Sequence, residues 1–178
     1  YVIHLAPGHA PLGALGYVVA AEELVQQVQS GAPVFDEVVV ASGSGHTHAG
    51  LLFGLRWLGC PAVVTGVCVR RDALQQRERI LTRVHEIAEL LEVDNPVTAD
   101  DIVLTDAFLA PGYGLLSNGT RDAISLAAKY ESLLMDPVYT GKVMAAAVAR
   151  ATETAATIVV VHTGGTPAIF AYQQELAE

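Results

Sequence analysis

Residues 38–54 read VVVASGSGHTHAGLLFG, and their order decides the fold. Consecutive valines followed by Ala41 suit a strand buried on both faces, as strands of parallel sheets are. Gly43-Ser44-Gly45 breaks the run, and the apolar spacing beyond it predicts a helix over about Thr47–Leu58. A buried strand that ends in a glycine turn at the start of a helix has a geometry for an anion. The N–H groups of a first helical turn lack intrahelical acceptors, the helix dipole favours negative charge, and glycine lets the backbone come close. The same turn also serves as a plain helix cap, so this stretch alone leaves both readings open.

Outward from it, strands and helices alternate. Towards the N-terminus, Asp36–Ala41 is the buried strand itself. Before it, Pro11 opens a helix that Ser30-Gly31 ends, and Val2–Leu5 predicts a short strand. Towards the C-terminus, Ala62–Val69 predicts a strand. A long helix then starts after the N-cap Asp72 and runs to about Val93, with Leu74, Leu81, Val84, Ala88 and Leu91 on one face. A strand at Ile102–Leu104, a glycine-rich loop at Ala110–Gly119 and a helix at Arg121–Leu134 follow. The turn Asp136–Gly141 leads to a helix at Lys142–Arg150, a strand at Thr157–His162, the loop TGGTP and a final short helix. The alternation means an α/β fold, a mostly parallel sheet with helices on both faces. Ligands in such sheets bind outside the carboxyl ends of strands. Polar, glycine-rich loops follow Ala41, Leu104 and His162, so the site is expected among these three.

The bulk composition narrows the function. Hydrophobic residues make up 52% of the 178 and charged ones 16%, which supports a packed core and argues against disorder. A formal charge of −9 with no basic cluster argues against nucleic acid as the main partner. No apolar run is long enough to span a bilayer, and none has the form of a signal peptide; a cytoplasmic protein is expected. Cys60 and Cys68 are expected to be buried thiols in a reducing compartment.

The glycine turn is not a P-loop, since no Gly-Lys-Ser/Thr follows. It is not a dinucleotide fingerprint either, because Gly43, Gly45 and Gly50 have the wrong spacing. The expected anion is therefore a lone phosphate group, with hydroxyl donors from Ser42, Ser44 and Thr47. His46 and His48 have the spacing of a zinc pair but no third ligand nearby. They are expected to face solvent or substrate, with no metal. Tyr113 and Tyr139 sit in loops next to glycines, where a phenol can hydrogen-bond a carboxylate or thiol, or exchange a proton if its pKa is lowered.

ASGSGHTHAGL resembles the phosphate-binding loop of fold-type-II pyridoxal phosphate enzymes, in particular the D-cysteine desulfhydrase and 1-aminocyclopropane-1-carboxylate (ACC) deaminase group. PLGALGYVVAAEEL (11–24), PGYGLLSNG (111–119) with DPVYTGK (136–142), and HTGGTPAIFAY (162–172) agree in order and spacing. The resemblance implies the large cofactor-binding domain of a tryptophan-synthase-β-like fold over 31–178, with 1–30 as the remnant of a small domain and crossover helix. It implies that Gly43, Ser44, Gly45, His46 and Thr47 cup the phosphate of pyridoxal 5'-phosphate, although the family has a small residue where His46 stands. Tyr113 and Tyr139 then line the substrate side, and His9 and Thr140 lie near the substrate.

Two positions divide the group. ACC deaminases resemble DPVYEG, with the Glu at the pyridine nitrogen, and carry leucine before the last Gly-Gly; here Thr140 and Thr163 stand instead. Thr163, with Gly164, then becomes the neutral partner of the ring nitrogen. A neutral partner makes the ring a weaker electron sink and suits loss of a good leaving group from Cβ. The implied reaction is removal of sulfide from an amino acid to give pyruvate and ammonia, with L-cysteate sulfo-lyase, ACC deaminase or a non-catalytic phosphate-ligand-binding remnant as alternatives.

The chemistry also needs a Schiff-base lysine. Lys129 reads as a surface residue, and Lys142 lies in DPVYTGK, where the family has no such lysine. The resemblance places it ahead of Tyr1, so the chain is expected to be the C-terminal part of such an enzyme. Its partners would be a small amino-acid substrate, a second copy in a homodimer and an N-terminal half supplying the lysine.

Overall fold

A computed structural model describes residues 9–177; the strand expected at Val2–Leu5 lies outside them. The elements in chain order are α1 (Leu12–Gln29), β1 (Glu37–Ser42), α2 (His46–Trp57), β2 (Val63–Cys68), α3 (Ala73–Leu91), β3 (Val103–Thr105), α4 (Asn118–Glu131), α5 (Thr140–Glu153), β4 (Ile158–Val160) and α6 (Gln173–Ala177). The four strands form one sheet in the order β3-β2-β1-β4, and every pairing is parallel. The chain moves from β1 outward to β2 and β3, then crosses back to place β4 on the other side of β1. The order therefore reverses between β1 and β4, and open α/β sheets leave their ligand crevice at such a reversal.

Alternate residues of the strands face two cores. Val38, Val40 and Val64 meet Leu51, Leu52, Phe53 and Leu55 of α2 and Ile80, Val84 and Ile87 of α3. Val39, Ala41, Val67 and Val69 meet Val143 and Ala146 of α5 on the opposite face. Right-handed crossovers explain the division, since α2 and α3 return in one direction and the segment before β4 in the other. On the α5 side, β1, β2, β3 and α5 leave a cleft of about 330 Å³ between them. Helix α1 lies in the 1–30 stretch that the resemblance assigns to a small domain and crossover helix, and its Ala14 and Ala21 are buried in the same core as α2. The helices meet closely, because a Cβ on Gly50 would come within 2.3 Å of the Ala14 carbonyl oxygen.

Several boundaries differ from expectation for identifiable reasons. Asp72 caps α3 as expected, its Oδ1 accepting from the Gln75 N–H at 2.8 Å. The helix is turned differently, however: Leu74 is 73% exposed, and Gln76, Ile80, Arg83, Val84, Ile87 and Ala88 face inward. Gln76 and Arg83 belong to that face because each has a polar partner there, Ser42 for Gln76 and Glu86 for Arg83. Helix α5 begins two residues before Lys142, at Thr140, because Asp136 caps it. The last strand is shorter than Thr157–His162 and half-exposed. Both cysteines are free thiols; Cys68 is buried, but Cys60 is only partly so.

Candidate active site

Strand β1 is buried along all six residues and delivers the glycine turn to the reversal point. Gly45 holds φ 92°, the left-handed region that glycine occupies without strain, and so opens α2. Gly43 is tight on one side: a Cβ there would lie 3.2 Å from Val69 Cγ2 and 3.7 Å from Tyr139 Cε1. The loop and the Tyr139 ring are thus neighbours. Ser44 is exposed, its Oγ accepting from the His46 N–H at 3.5 Å, and Thr47 is half-buried.

Beneath the loop the expected roles change. Ser42 is fully buried, and its hydroxyl is shared between His48 Nδ1 at 3.1 Å and Gln76 Nε2 at 2.9 Å. It belongs to the floor and is not a donor to the anion. Neither histidine faces solvent or substrate. His48 packs on β2 so closely that a Cβ on Gly66 would be 2.3 Å from its Nδ1. Burial holds its pKa down at about 4. The His46 ring is buried near Gly13, and burial, then Arg83 and Arg79, lower its pKa. Both rings are neutral core groups at neutral pH. The described residues hold no cluster of metal-ligating side chains.

Opposite the glycine turn, Tyr113 and Tyr139 meet hydroxyl to hydroxyl at 2.5 Å, their rings edge to face. The Arg70 guanidinium lies 5.7 Å from the Tyr113 ring centroid, within cation–π range. Burial, then the bond to Tyr113, push the Tyr139 phenol up to about 12. Tyr139 therefore keeps its proton at neutral pH and can donate it, the direction opposite to the lowered pKa that a phenolate base needs.

The Tyr113 loop is held from below by Lys142. This side chain is fully buried, and its Nζ donates to the Leu109 carbonyl at 2.9 Å and to that of Gly112 at 3.2 Å. Tyr172 adds a bond from its hydroxyl to the Gly114 carbonyl at 2.6 Å. Lys129 is exposed, its ammonium 5.0 Å from the Tyr130 ring centroid. Neither described lysine stands in the glycine turn.

Sequence reading passed over Asp136, yet this fully buried carboxylate organises the turn. Its Oδ2 accepts from the N–H groups of Val138 and Tyr139, and its Oδ1 from the N–H and the hydroxyl of Thr140. Thr140 is consequently buried with its hydroxyl committed to Asp136, and the structure does not open it to a substrate. Asp-Pro ahead of a helix is a capping signal that could have identified the carboxylate. Gly165, at φ 85°, packs on the same group, with a would-be Cβ 2.8 Å from Asp136 Cγ. Thr163 is exposed, and the Gly164 N–H donates to His162 Nδ1 at 3.2 Å. His9 is exposed and lines a separate cleft with Pro11, Glu86, Glu89 and Leu90, so it is not brought to the tyrosines.

The structure thus brings together the turn 43–47, Tyr139, Tyr113 and Arg70, with the β4 loop beside them across the β1–β4 reversal. This set can bind an anion by backbone donors and offer neutral hydroxyls to a small polar molecule next to it.

Comparisons with known proteins give the family and the fold. A family model described as "Pyridoxal-phosphate dependent enzyme" matches residues 2–164. The chain is 43% identical over 180 residues to a D-cysteine desulfhydrase of Klebsiella pneumoniae (strain 342), covering 99% of this chain and 53% of that protein. It also superposes on the crystal structure of an ACC deaminase homologue with a TM-score of 0.83 at 36% identity, covering 96% of this chain and 51% of the other. A threonine deaminase from T.th., at 19% identity and a TM-score of 0.58, shares the fold; the match covers 85% of this chain and 57% of that one. The chain spans about half the length of the relatives it matches.

Proposed function

Because the chain belongs to the pyridoxal-phosphate dependent enzymes, we propose that it forms the phosphate-holding and ring-facing part of a carbon–sulfur lyase of the D-cysteine desulfhydrase type. The observation that carries this reading is the turn 43–47, opened by Gly45 at φ 92° at the sheet's reversal and set against Tyr139. The donors fit a phosphate: they are N–H groups of a first helical turn with a threonine hydroxyl, and glycine leaves the approach open. When bound, the cofactor supplies an electron-accepting ring that stabilises charge left at the substrate's Cα.

The chain's own residues do the rest. Gly43, Ser44, Gly45, His46 and Thr47 hold the phosphate, the first four through the backbone and Thr47 with its hydroxyl as well. Thr163, exposed beside Gly164 on the loop after β4, offers the ring nitrogen a hydroxyl and no charge. That weaker electron sink favours loss of sulfide over opening of a cyclopropane, and so the desulfhydrase over the ACC deaminase reading. Tyr113 and Tyr139 bind the amino acid, and Tyr139, protonated at neutral pH, can deliver a proton to the departing sulfur. Cysteine and water then yield pyruvate, ammonia and hydrogen sulfide. The attaching lysine is supplied by sequence preceding these residues, in a cytoplasmic homodimer.

A second reading, a chain that binds a phosphate compound without turnover, is favoured by one observation: the Lys142 ammonium is committed to two loop carbonyls. The experiment is sulfide release from D-cysteine by the protein as its source produces it, with bound cofactor measured by absorbance. Turnover with stoichiometric cofactor supports the lyase, whereas phosphate binding without turnover supports the second reading. Thr163→Leu should change sulfide release by about tenfold, equivalent to about 1.4 kcal/mol in the barrier, with cofactor retained. Unchanged kinetics would remove Thr163 from the nitrogen.

A further inference from the structure

The phosphate reading concerns what faces the loop; the groups behind it are equally specific. The Gly43 carbonyl accepts from Arg71 Nη1 at 3.1 Å and from Gln76 Nε2 at 3.3 Å. The Ser44 carbonyl accepts from Arg79 Nε at 2.8 Å. In a planar trans peptide the N–H points opposite to the carbonyl. Pulling these two carbonyls back toward residues 71–79 therefore turns the N–H groups of Ser44 and Gly45 forward, away from α3.

Resting on the phosphate reading above, we propose that Arg71, Gln76 and Arg79 are positioning residues. They hold the two loop peptides from behind, so that the Ser44 and Gly45 N–H groups converge on the phosphate. Arg71 and Arg79 also give the cup a positive field. All three donors come from the loop between β2 and α3 and the first two turns of α3, one short segment dedicated to one loop. Gln76 is fully buried on the inward face, and Ser42 shares its amide. The charge pattern supports the assignment. In a chain of net charge −9, Arg71, Arg79 and Arg83 gather behind this turn, and Arg70, which faces the Tyr113 ring, is near enough to act on Arg79 as well. Burial and the other three arginines lower the Arg79 pKa, with Glu86 the one acid acting against them. A bound anion compensates such a cluster, whereas a neutral ligand leaves it repelling itself.

The test uses inorganic phosphate and amide-resolved NMR of the protein, with the thermal midpoint of the ligand-free protein as a check on folding. Arg79→Met should weaken phosphate binding about tenfold, the scale of one lost charge-assisted hydrogen bond. It should diminish the phosphate-induced shift of the Gly45 amide more than that of Ser44. Arg71→Met should do the reverse, and Arg79→Lys, which keeps the charge, should recover most of the affinity. Equal losses at both amides, or phosphate affinity unchanged in both methionine variants, would overturn the proposal. Should Arg79→Met fail to fold, Arg71→Met at its half-exposed position reads the same quantities. A wild-type protein that binds neither phosphate nor pyridoxal phosphate would overturn the phosphate reading itself, an outcome distinct from binding that ignores the arginines.

Discussion

The glycine turn 43–47 leaves a strand of six residues, all buried, whereas the Tyr113 loop leaves the three-residue edge strand β3, which is partly exposed throughout. Below the turn lie a core histidine, a shared serine hydroxyl and the inward face of α3. Below the tyrosine loop lie hydrogen bonds from Lys142 and Tyr172 to carbonyl oxygens. The anion side thus rests on a packed core, which resists small displacement, with Arg71, Gln76 and Arg79 bonded to the turn's carbonyls above it. The aromatic side is held by a few replaceable bonds. On the proposed function, cofactor position would be set by the first, and adjustment to the substrate would fall to the second.

The largest effect should come from attacking the foundation of the anion side. Gly66→Ala sets a methyl against His48 Nδ1 and Leu104 Cδ2, at built distances of 2.3 and 2.8 Å. Overpacking of that kind should destabilise the protein by about 3 kcal/mol in urea unfolding. Adding His48→Ala should relieve the clash, giving a coupling above roughly 1 kcal/mol in the double-mutant cycle. Strict additivity would mean that His48 does not rest on β2 as the structure has it.

Acid reaches the same foundation more gently. The His48 pKa falls from 6.5 to about 4 on folding. Above pH 6.5 the ring is neutral in both states and costs nothing. As pH falls from there toward 4, the unfolded chain takes a proton that the folded one refuses. Stability then declines by up to about 3 kcal/mol and levels off. His46, also lowered by burial, adds in the same direction, so the His48 share is the difference between wild type and His48→Asn. Parallel stability profiles for the two proteins across this window would refute a buried neutral His48.

How much of this was legible in the sequence varies with the kind of signal. Each strand is a run of β-branched residues and each glycine turn punctuates one, so the alternation, the parallel sheet and the three loops could be read locally. The orientation of α3 could not. Leucines are read as inward, but Gln76 and Arg83 take inward positions, where the Gln76 amide nitrogen meets a serine on β1 and one Arg83 nitrogen a glutamate on the same helix. His48 looked like a polar loop residue because its complement, Gly66, lies on another strand and carries no side chain to signal it. Asp136 was hidden in a turn motif whose tyrosine drew the attention. Local pattern revealed the elements, and the polar contacts between distant segments were visible only once folded.

The aromatic side supplies the smallest effect and the sharpest contrast. Lys142→Met keeps the length of the buried stem and removes the donor shared by Leu109 and Gly112. Burial already lowers the ammonium pKa, so part of its bond energy is spent offsetting desolvation, and the net loss should be about 1–2 kcal/mol. Its location matters more than its size. Amide hydrogen exchange should accelerate in residues 109–114 and leave β1 and the turn 43–47 as protected as in wild type. Substrate affinity should weaken with Tyr113 displaced, while phosphate affinity stays unchanged. Exchange that rises equally in β1 would show that the two sides share one foundation, because a bond under the tyrosine loop would then be supporting the glycine turn as well.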